Sequence, residues 1–195
     1  MDDVVIVGGG IIGTATAYFL SKEGRKVKVI EKDPSYKEAS FPLSLGGFRR
    51  QFFQKENILL GKFARDFIFQ IPELLKTKKN PNPTASMVPN GYLLMFGPEH
   101  AEEQYRALEN HKECGAGTKN IKGSELSKVF SYINDEGIET ATYTDDKSEG
   151  WIDPFMFHGA LKSKAIELGA EFIKGDVKSI SDIKANNHIR SRMLD

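Results

Sequence analysis

The sequence predicts an α/β fold in which a doubly wound parallel sheet is interrupted by an inserted α+β part, and three observations predict it. A β-branched run, "VVIV", is followed at once by "GGGIIG". A segment of helical period then leads into a second short strand, "VKVIE", which closes on an acid. Toward the other end of the chain "AEFIK" repeats the short apolar pattern, whereas the middle reads as hairpin-like strands around one polar amphipathic helix.

Each element follows from its residues. Val4 to Val7 is a continuous β-branched run, the pattern of a strand buried on both faces of a parallel sheet. Gly8 turns the chain sharply, Gly10 leaves room for a pyrophosphate against the main chain, and Gly13 lets the following helix sit close to the strand. Phosphates would meet the free N–H groups at the helix start. Gly13, Ala17 and Leu20 share one helical face, which is expected to pack on the sheet. Gly24 ends the helix. Glu31 closes the second strand, where a carboxylate accepts hydrogen bonds from the ribose hydroxyls of an adenosine and repels a 2′-phosphate, so NADP is disfavoured despite Lys32. A glycine turn alone can be a tight strand-to-helix corner with no ligand. The order strand, glycine turn, helix, strand and acid within the first 31 residues favours a Rossmann-like dinucleotide site. These residues leave open whether the dinucleotide is FAD or NAD.

In the middle, "NGYLLMFG" reads as a strand after an Asn-Gly turn, Pro98 to Cys114 as an amphipathic helix, and "TATYTDD" as a further strand. "KTKKNPNPTAS" breaks both periodicities and marks a boundary loop. The expected organisation is therefore a dinucleotide-binding domain over residues 1–83 and 151–180, part of an inserted substrate domain over 84–150, and a polar tail over 181–195. In "EGWIDPF", Asp153 before Pro154 opens a helix, with Trp151 expected to pack beneath it. Only Val4–Val7, Val27–Glu31 and Ala170–Lys174 read as parallel strands, fewer than a doubly wound sheet needs, so the sequence is expected to be truncated or to end in an alternative way.

Composition removes several function classes. The 27 basic and 27 acidic residues cancel, with no long run of either sign, so neither nucleic acid nor an anionic membrane surface is indicated. No apolar run is long enough for a membrane span, and the acidic start "MDD" is unlike a signal or transit peptide. A single cysteine, Cys114, rules out an internal disulfide framework and a Cys-rich zinc site. His100, His111, His158 and His188 lack metal-ligand spacing and read as surface or core residues, so no metal is expected.

The longer pattern from Gly8, Gly10 and Gly13 through Ala17, Leu20, Gly24, Val27 and Val29 to Glu31 resembles the dinucleotide-binding motif of FAD-dependent oxidoreductases. "EASFPLSLGGFRRQF" is similar to the second FAD-contacting segment of the D-amino-acid oxidase, glycine oxidase and sarcosine oxidase superfamily. "EGWIDPFMFHGALKSKAIELGAEFIKGDVKSI" resembles that superfamily's Gly-x-Val-Asp-Pro segment, its helix and the strand that reaches the adenine.

The resemblance implies a Rossmann-like FAD-binding domain with FAD as the cofactor. Gly8, Gly10, Ile11, Ile12 and Gly13 would form the phosphate turn, Glu31 and Lys32 would meet the adenosine, and Val177 would give main-chain contact to adenine. Ser40, Ser44, Leu45, Gly46 and Gly47 would line the path to the flavin ring. Arg49 or Arg50 would approach the flavin or an amino-acid carboxylate through a bidentate pair, Arg49 being the substrate candidate; their plain reading is a solvated helix start. Relatives that tether FAD covalently use a His near the glycine segment or a Cys in the second half of the chain. No His lies between Glu31 and Arg50, and Cys114 falls in an expected inserted-domain helix, so the FAD is expected to be non-covalent.

The implied activity is oxidation of a small amine or amino acid at the carbon beside nitrogen, and no catalytic residue is assigned. "DVVIVGGG", "KENI", "NGYLL" and "EGWIDP" are also similar to a mitochondrial member of the superfamily associated with respiratory complex I assembly. That similarity implies a mitochondrial location, the expectation otherwise being cytoplasmic, together with respiratory-chain assembly partners and, as an alternative function, a flavin-binding assembly factor without turnover. An NAD-linked dehydrogenase is the second alternative.

Overall fold

The computed structural model describes residues 4–145, 147–181 and 190–192, the last few by their backbone. In chain order the elements are β1 (Val4–Val7), α1 (Ile11–Lys22), β2 (Val27–Glu31), a single 3₁₀ turn (Phe41–Leu43), β3 (Gly47–Phe48), α2 (Lys55–Phe69), α3 (Ile71–Leu74) and β4 (Leu93–Phe96). They continue with α4 (Pro98–Glu113), β5 (Lys119–Lys122), α5 (Gly123–Val129), β6 (Thr140–Tyr143), β7 (Gly150–Trp151), α6 (Pro154–Glu167), β8 (Glu171–Lys174), β9 (Ser179–Ser181) and β10 (Arg190–Arg192). The chain divides into two compact units, residues 1–45, 71–86 and 153–195 in the first and 46–70 with 87–152 in the second. Segment 46–70, expected with the first domain, packs with the second unit.

The first unit is built on a parallel sheet in the order β1-β2-β8, with Val4 paired to Val27 and Lys28 to Glu171. Two crossovers supply its helices. The helix α1 joins β1 to β2 and packs against α6, the helix that leads into β8. The face of α1 that is buried carries Thr14, Ala17, Tyr18 and Ser21. That face is rotated from the expected Gly13, Ala17 and Leu20, because α6 competes with the sheet for contact and Gly13 and Leu20 end half-buried. Gly13 still has the expected role: a Cβ there would overlap the Gly8 carbonyl oxygen and stand 3.3 Å from Ile6 Cγ2.

Burial of β1 on both faces is not what the structure has. Val5 and Val7 are 46% and 53% exposed, because the covering of β1 by α1 lies over the face that carries Ile6. Part of the expected polar tail is also ordered: Arg190–Arg192 pairs antiparallel with Ser179–Ser181, while residues 182–189 and 193–195 of that tail lie outside the described residues.

The second unit has an antiparallel sheet in the order β4-β6-β5, backed by α4 and α5, and a short pair of β3 with β7. Gly91, at φ +80, makes the turn before β4 that the Asn-Gly pair announces. Gln104 of α4 lies 3.5 Å from the Thr142 hydroxyl inside this unit. Trp151 does not pack beneath a helix: it sits in β7, 43% exposed. Asp153 opens α6 as expected, its carboxylate accepting from the Met156 N–H at 2.9 Å.

Two helical glycines should respond oppositely to alanine. At either, Ala gains roughly 1 kcal/mol of helix propensity. At Gly159 of α6 nothing stands within 4 Å of the new methyl, so the gain is expected to appear as a higher unfolding midpoint. At Gly13 the overlap is with backbone, and strain of about 1–3 kcal/mol should exceed the gain and lower the midpoint. Denaturant unfolding of the two variants checks both signs.

Candidate functional site

In the first unit the strand β1 delivers the chain to Gly8, whose φ of +93 only glycine adopts without strain and whose N–H donates to Ile30 O at 2.8 Å. Both backbone polar groups of Gly9, which belong to successive peptides, are tied. Gly9 N–H donates to Glu31 Oε2 at 2.7 Å. Gly9 O accepts from the Thr14 hydroxyl at 2.7 Å and lies 2.8 Å from His158 Nε2. The helical ladder of α1 begins with Thr14 N–H to Gly10 O at 2.9 Å, so the N–H groups of the first turn precede it. Gly10, the N-cap, offers no side chain to them. A Cβ built on Gly8 or Gly10 would meet nothing within 4 Å. The result is open space bordered by unused donors at a positive helix end, an arrangement that fits the diphosphate of a dinucleotide.

Glu31 holds two loops together in this arrangement. Its Oε2 takes the Gly9 N–H and its Oε1 takes the Asp33 N–H, each at 2.7 Å. One lone pair of each oxygen is left for a ribose hydroxyl. Ile11 is half-buried and Ile12 is 81% exposed at the mouth of the loop. The Lys32 side chain is exposed, and Val177 lies in the segment after β8, close behind Gly175, whose N–H donates to Glu31 O at 3.0 Å. The glycine turn, Glu31 and the segment of Val177 are thus brought to the C-terminal ends of β1, β2 and β8.

The expected flavin-facing segment is split between the units. Ser40, Ser44 and Leu45 flank the 3₁₀ turn of the first, with Ser44 donating to Phe41 O at 2.9 Å and Leu45 93% exposed. Gly46, at φ +64, and Gly47 belong to the second, where a Cβ on Gly47 would overlap the Tyr92 hydroxyl.

Arg49 and Arg50 do not start a helix, since α2 begins at Lys55. Arg50 is buried and bonds the Ser148 hydroxyl, while its N–H donates to Glu149 Oε1 at 2.6 Å. Glu149 is fully buried and also accepts from Gln51 Nε2 at 2.7 Å and the Thr144 hydroxyl at 3.0 Å. Three donors offset the cost of burying that carboxylate. Arg49 faces a cavity of about 490 Å³ that Gly47, Phe48, Phe52, Leu60 and Tyr92 also line. Its guanidinium lies 4.8 Å from the Phe52 ring centre and 5.9 Å from that of Tyr92. The Arg49 Nε has no hydrogen-bond partner among the described residues. Half-buried Cys114 caps the C-terminal end of α4.

His158, read from sequence only as a surface or core residue, lies against the glycine loop. Its position after the Asp153 cap puts it on the buried face of α6 with Leu161 and Ala165, which periodicity could find; its partner, Gly9, periodicity could not. His111 is likewise buried, with Nε2 2.8 Å from Phe52 O. His100 is exposed, and His188 lies outside the described residues. Among the described residues no cluster of His, Cys, Asp or Glu could hold a metal, and no helix is long and apolar enough to cross a membrane.

A family of FAD dependent oxidoreductases matches residues 3–191, and the chain belongs to that family. It is 38% identical over 190 residues to FAD-dependent oxidoreductase domain-containing protein 1 of Xenopus laevis, covering 93% of this chain and 37% of that protein. Identity to the Bos taurus protein of the same name is 34% over 194 residues, covering 97% of this chain and 39% of that one. Among solved structures, L-proline dehydrogenase from P. horikoshii superposes with a TM-score of 0.80 at 27% identity, over 98% of this chain and 49% of its own. Glycine oxidase from Bacillus cereus shares the fold at a TM-score of 0.70 and 22% identity, over 94% and 49% of the two chains. The chain therefore spans less than two fifths of the length of these curated relatives.

Burial pushes the imidazoles of both His111 and His158 below their ordinary value; hydrogen bonds to Phe52 O and Gly9 O oppose the shift only in part. A folded-state value below the unfolded one means that the folded protein binds fewer protons. The stability so gained is complete above about pH 6.5 and is lost as pH falls below it. Unfolding midpoints measured from pH 7.5 to 5 should decline, and the decline should flatten when both residues are replaced by Gln.

Proposed function

We propose that this chain carries the FAD-binding unit, and part of the substrate-binding unit, of an oxidoreductase acting on a small amine or amino acid. The observation that carries the reading is Gly9, its N–H tied by Glu31 and its C=O by Thr14, next to the open space and the unused helix-start donors at Gly10. Gly8, Gly10, Ile11, Ile12 and Gly13 would hold the diphosphate, Glu31 and Lys32 the adenosine end, and the Val177 main chain the adenine. Ser40, Ser44, Leu45, Gly46 and Gly47 would serve the flavin ring. FAD, when bound, would supply a hydride acceptor for oxidation of the carbon beside an amine nitrogen, and the protein's share would be binding and orientation. Arg49 would receive a substrate carboxylate, its half-buried guanidinium at the 490 Å³ cavity of the second unit supporting that role.

A second reading is a flavin-binding mitochondrial protein that works by contact, in assembly of the respiratory chain. Exposed Leu59, Leu60 and Phe63 on α2 favour it as an apolar surface available to a partner.

Binding experiments on the purified chain test the cofactor. Acid treatment should release FAD rather than NAD. Gly10→Val places its side chain in open space and in an extended N-cap conformation, so the chain should fold normally and lose FAD. Full flavin occupancy in that variant would refute the phosphate site. Glu31→Gln exchanges a charged acceptor for a neutral one and should weaken FAD binding by about 1.5–3 kcal/mol, roughly tenfold to a hundredfold.

The 195-residue chain spans about half of the L-proline dehydrogenase it superposes on, and alone it should bind FAD without amine turnover. Anaerobic mixing with N-methyl and D-amino acids reads this directly. Flavin reduction at about 1 per second or faster would show that these residues carry a complete active site.

A further inference from the structure

The His158 ring is held more tightly than core packing requires. It is 3% exposed, stacked on Phe41 at 4.5 Å between ring centres and 28° between planes, and met edge-on by Tyr36 at 4.5 Å. Tyr36 is itself fixed, at a φ of +56 that non-glycine residues seldom adopt, with its hydroxyl 3.0 Å from Lys162 Nζ. This clamp aims one nitrogen: Nε2 lies 2.8 Å from Gly9 O and 3.0 Å from the Thr14 hydroxyl. A carbonyl oxygen can only accept, so Nε2 must carry the hydrogen. The bond therefore names the tautomer as well as the partner.

Its consequence falls on the far side of the same peptide. The Gly9–Gly10 bond is trans, as are all described peptide bonds, so its C=O and N–H point in opposite directions. Gly9 O is drawn inward to α6 and Thr14; the Gly10 N–H is thereby turned outward, away from them, at a residue where even a Cβ would meet nothing within 4 Å. Gly9 and Gly10 lack the side chains that would otherwise restrict this plane, and a glycine peptide left alone can rotate.

We infer that His158 is a positioning residue for the cofactor's diphosphate, acting through the Gly9 carbonyl to present the Gly10 N–H without touching the ligand. This rests on the FAD reading above and deepens it, by adding a residue of α6 to a loop otherwise built from β1, α1 and β2. A merely structural His would stabilise the unit and affect every part of the ligand alike. A positioning His affects the phosphates alone.

The experiment is calorimetric titration of the unaltered chain, His158→Leu and His158→Gln with FAD, ADP and adenosine. His158→Leu should weaken FAD and ADP on the order of tenfold, the size of one lost hydrogen bond, and leave adenosine unchanged. His158→Gln keeps an N–H donor and should recover much of the loss. Equal losses for ADP and adenosine, or no loss for either FAD or ADP, would overturn the inference and leave the cofactor reading standing. If the unaltered chain bound neither FAD nor ADP, the cofactor reading would fall and this inference with it. A second measurement needs no substitution: the ¹⁵N spectrum of the unliganded chain should show His158 as the Nε2–H tautomer. The Nδ1–H form would refute the bond to Gly9 O even if the Leu variant failed to fold.

Discussion

A single carboxylate, Glu31, ties the loop after β1 to the end of β2, and the rest of the site depends on that tie. Parallel strands place their C-terminal ends side by side, but they do not by themselves decide how a glycine-rich turn lies between them. Here Glu31 bridges the N–H groups of Gly9 and Asp33, each at 2.7 Å, so the turn and the next loop share one acceptor. Gly13 completes the constraint by letting α1 start in contact with the Gly8 carbonyl. With Gly9 held at its N–H by Glu31 and at its C=O by α1 and α6, the donors ahead of the helical ladder can face only outward.

The second unit uses the same device for a different end. Fully buried Glu149 gathers the Arg50 N–H, the Gln51 amide and the Thr144 hydroxyl, and so fixes the chain that follows β3. Arg50 is consumed in that network. Arg49, next to it in sequence, is left against Phe52 and Tyr92 at the cavity, a cation over aromatic faces with its Nε unused. Two adjacent arginines therefore meet different surroundings, one a network around a buried carboxylate and the other an aromatic-lined cavity.

Surfaces that remain uncovered are as informative as those that are packed. Val5 and Val7 of β1, and Leu59, Leu60 and Phe63 of α2, are exposed apolar side chains on regular elements. Matching structures such as L-proline dehydrogenase are about twice as long as this chain, and the curated relatives longer still. Apolar faces of this kind favour burial against further protein.

The sequence by itself determined the sheet unit and the glycine loop, because both are local. Val4 to Val7, the glycine spacing, Gly24 and the closing Glu31 specify strand, turn, helix and strand from neighbours in the chain, and Asp153 before Pro154 likewise announces α6. What only the tertiary structure decided involves residues distant in sequence. Which face of α1 is buried depends on α6; exposure of Val5 and Val7 depends on what covers β1; the different fates of Arg49 and Arg50 depend on Glu149. His158 is the clearest case. Its burial follows from helical period, but its meeting with Gly9 is made by the crossover that carries α6 back beside α1, and no periodicity encodes which carbonyl a buried nitrogen will find.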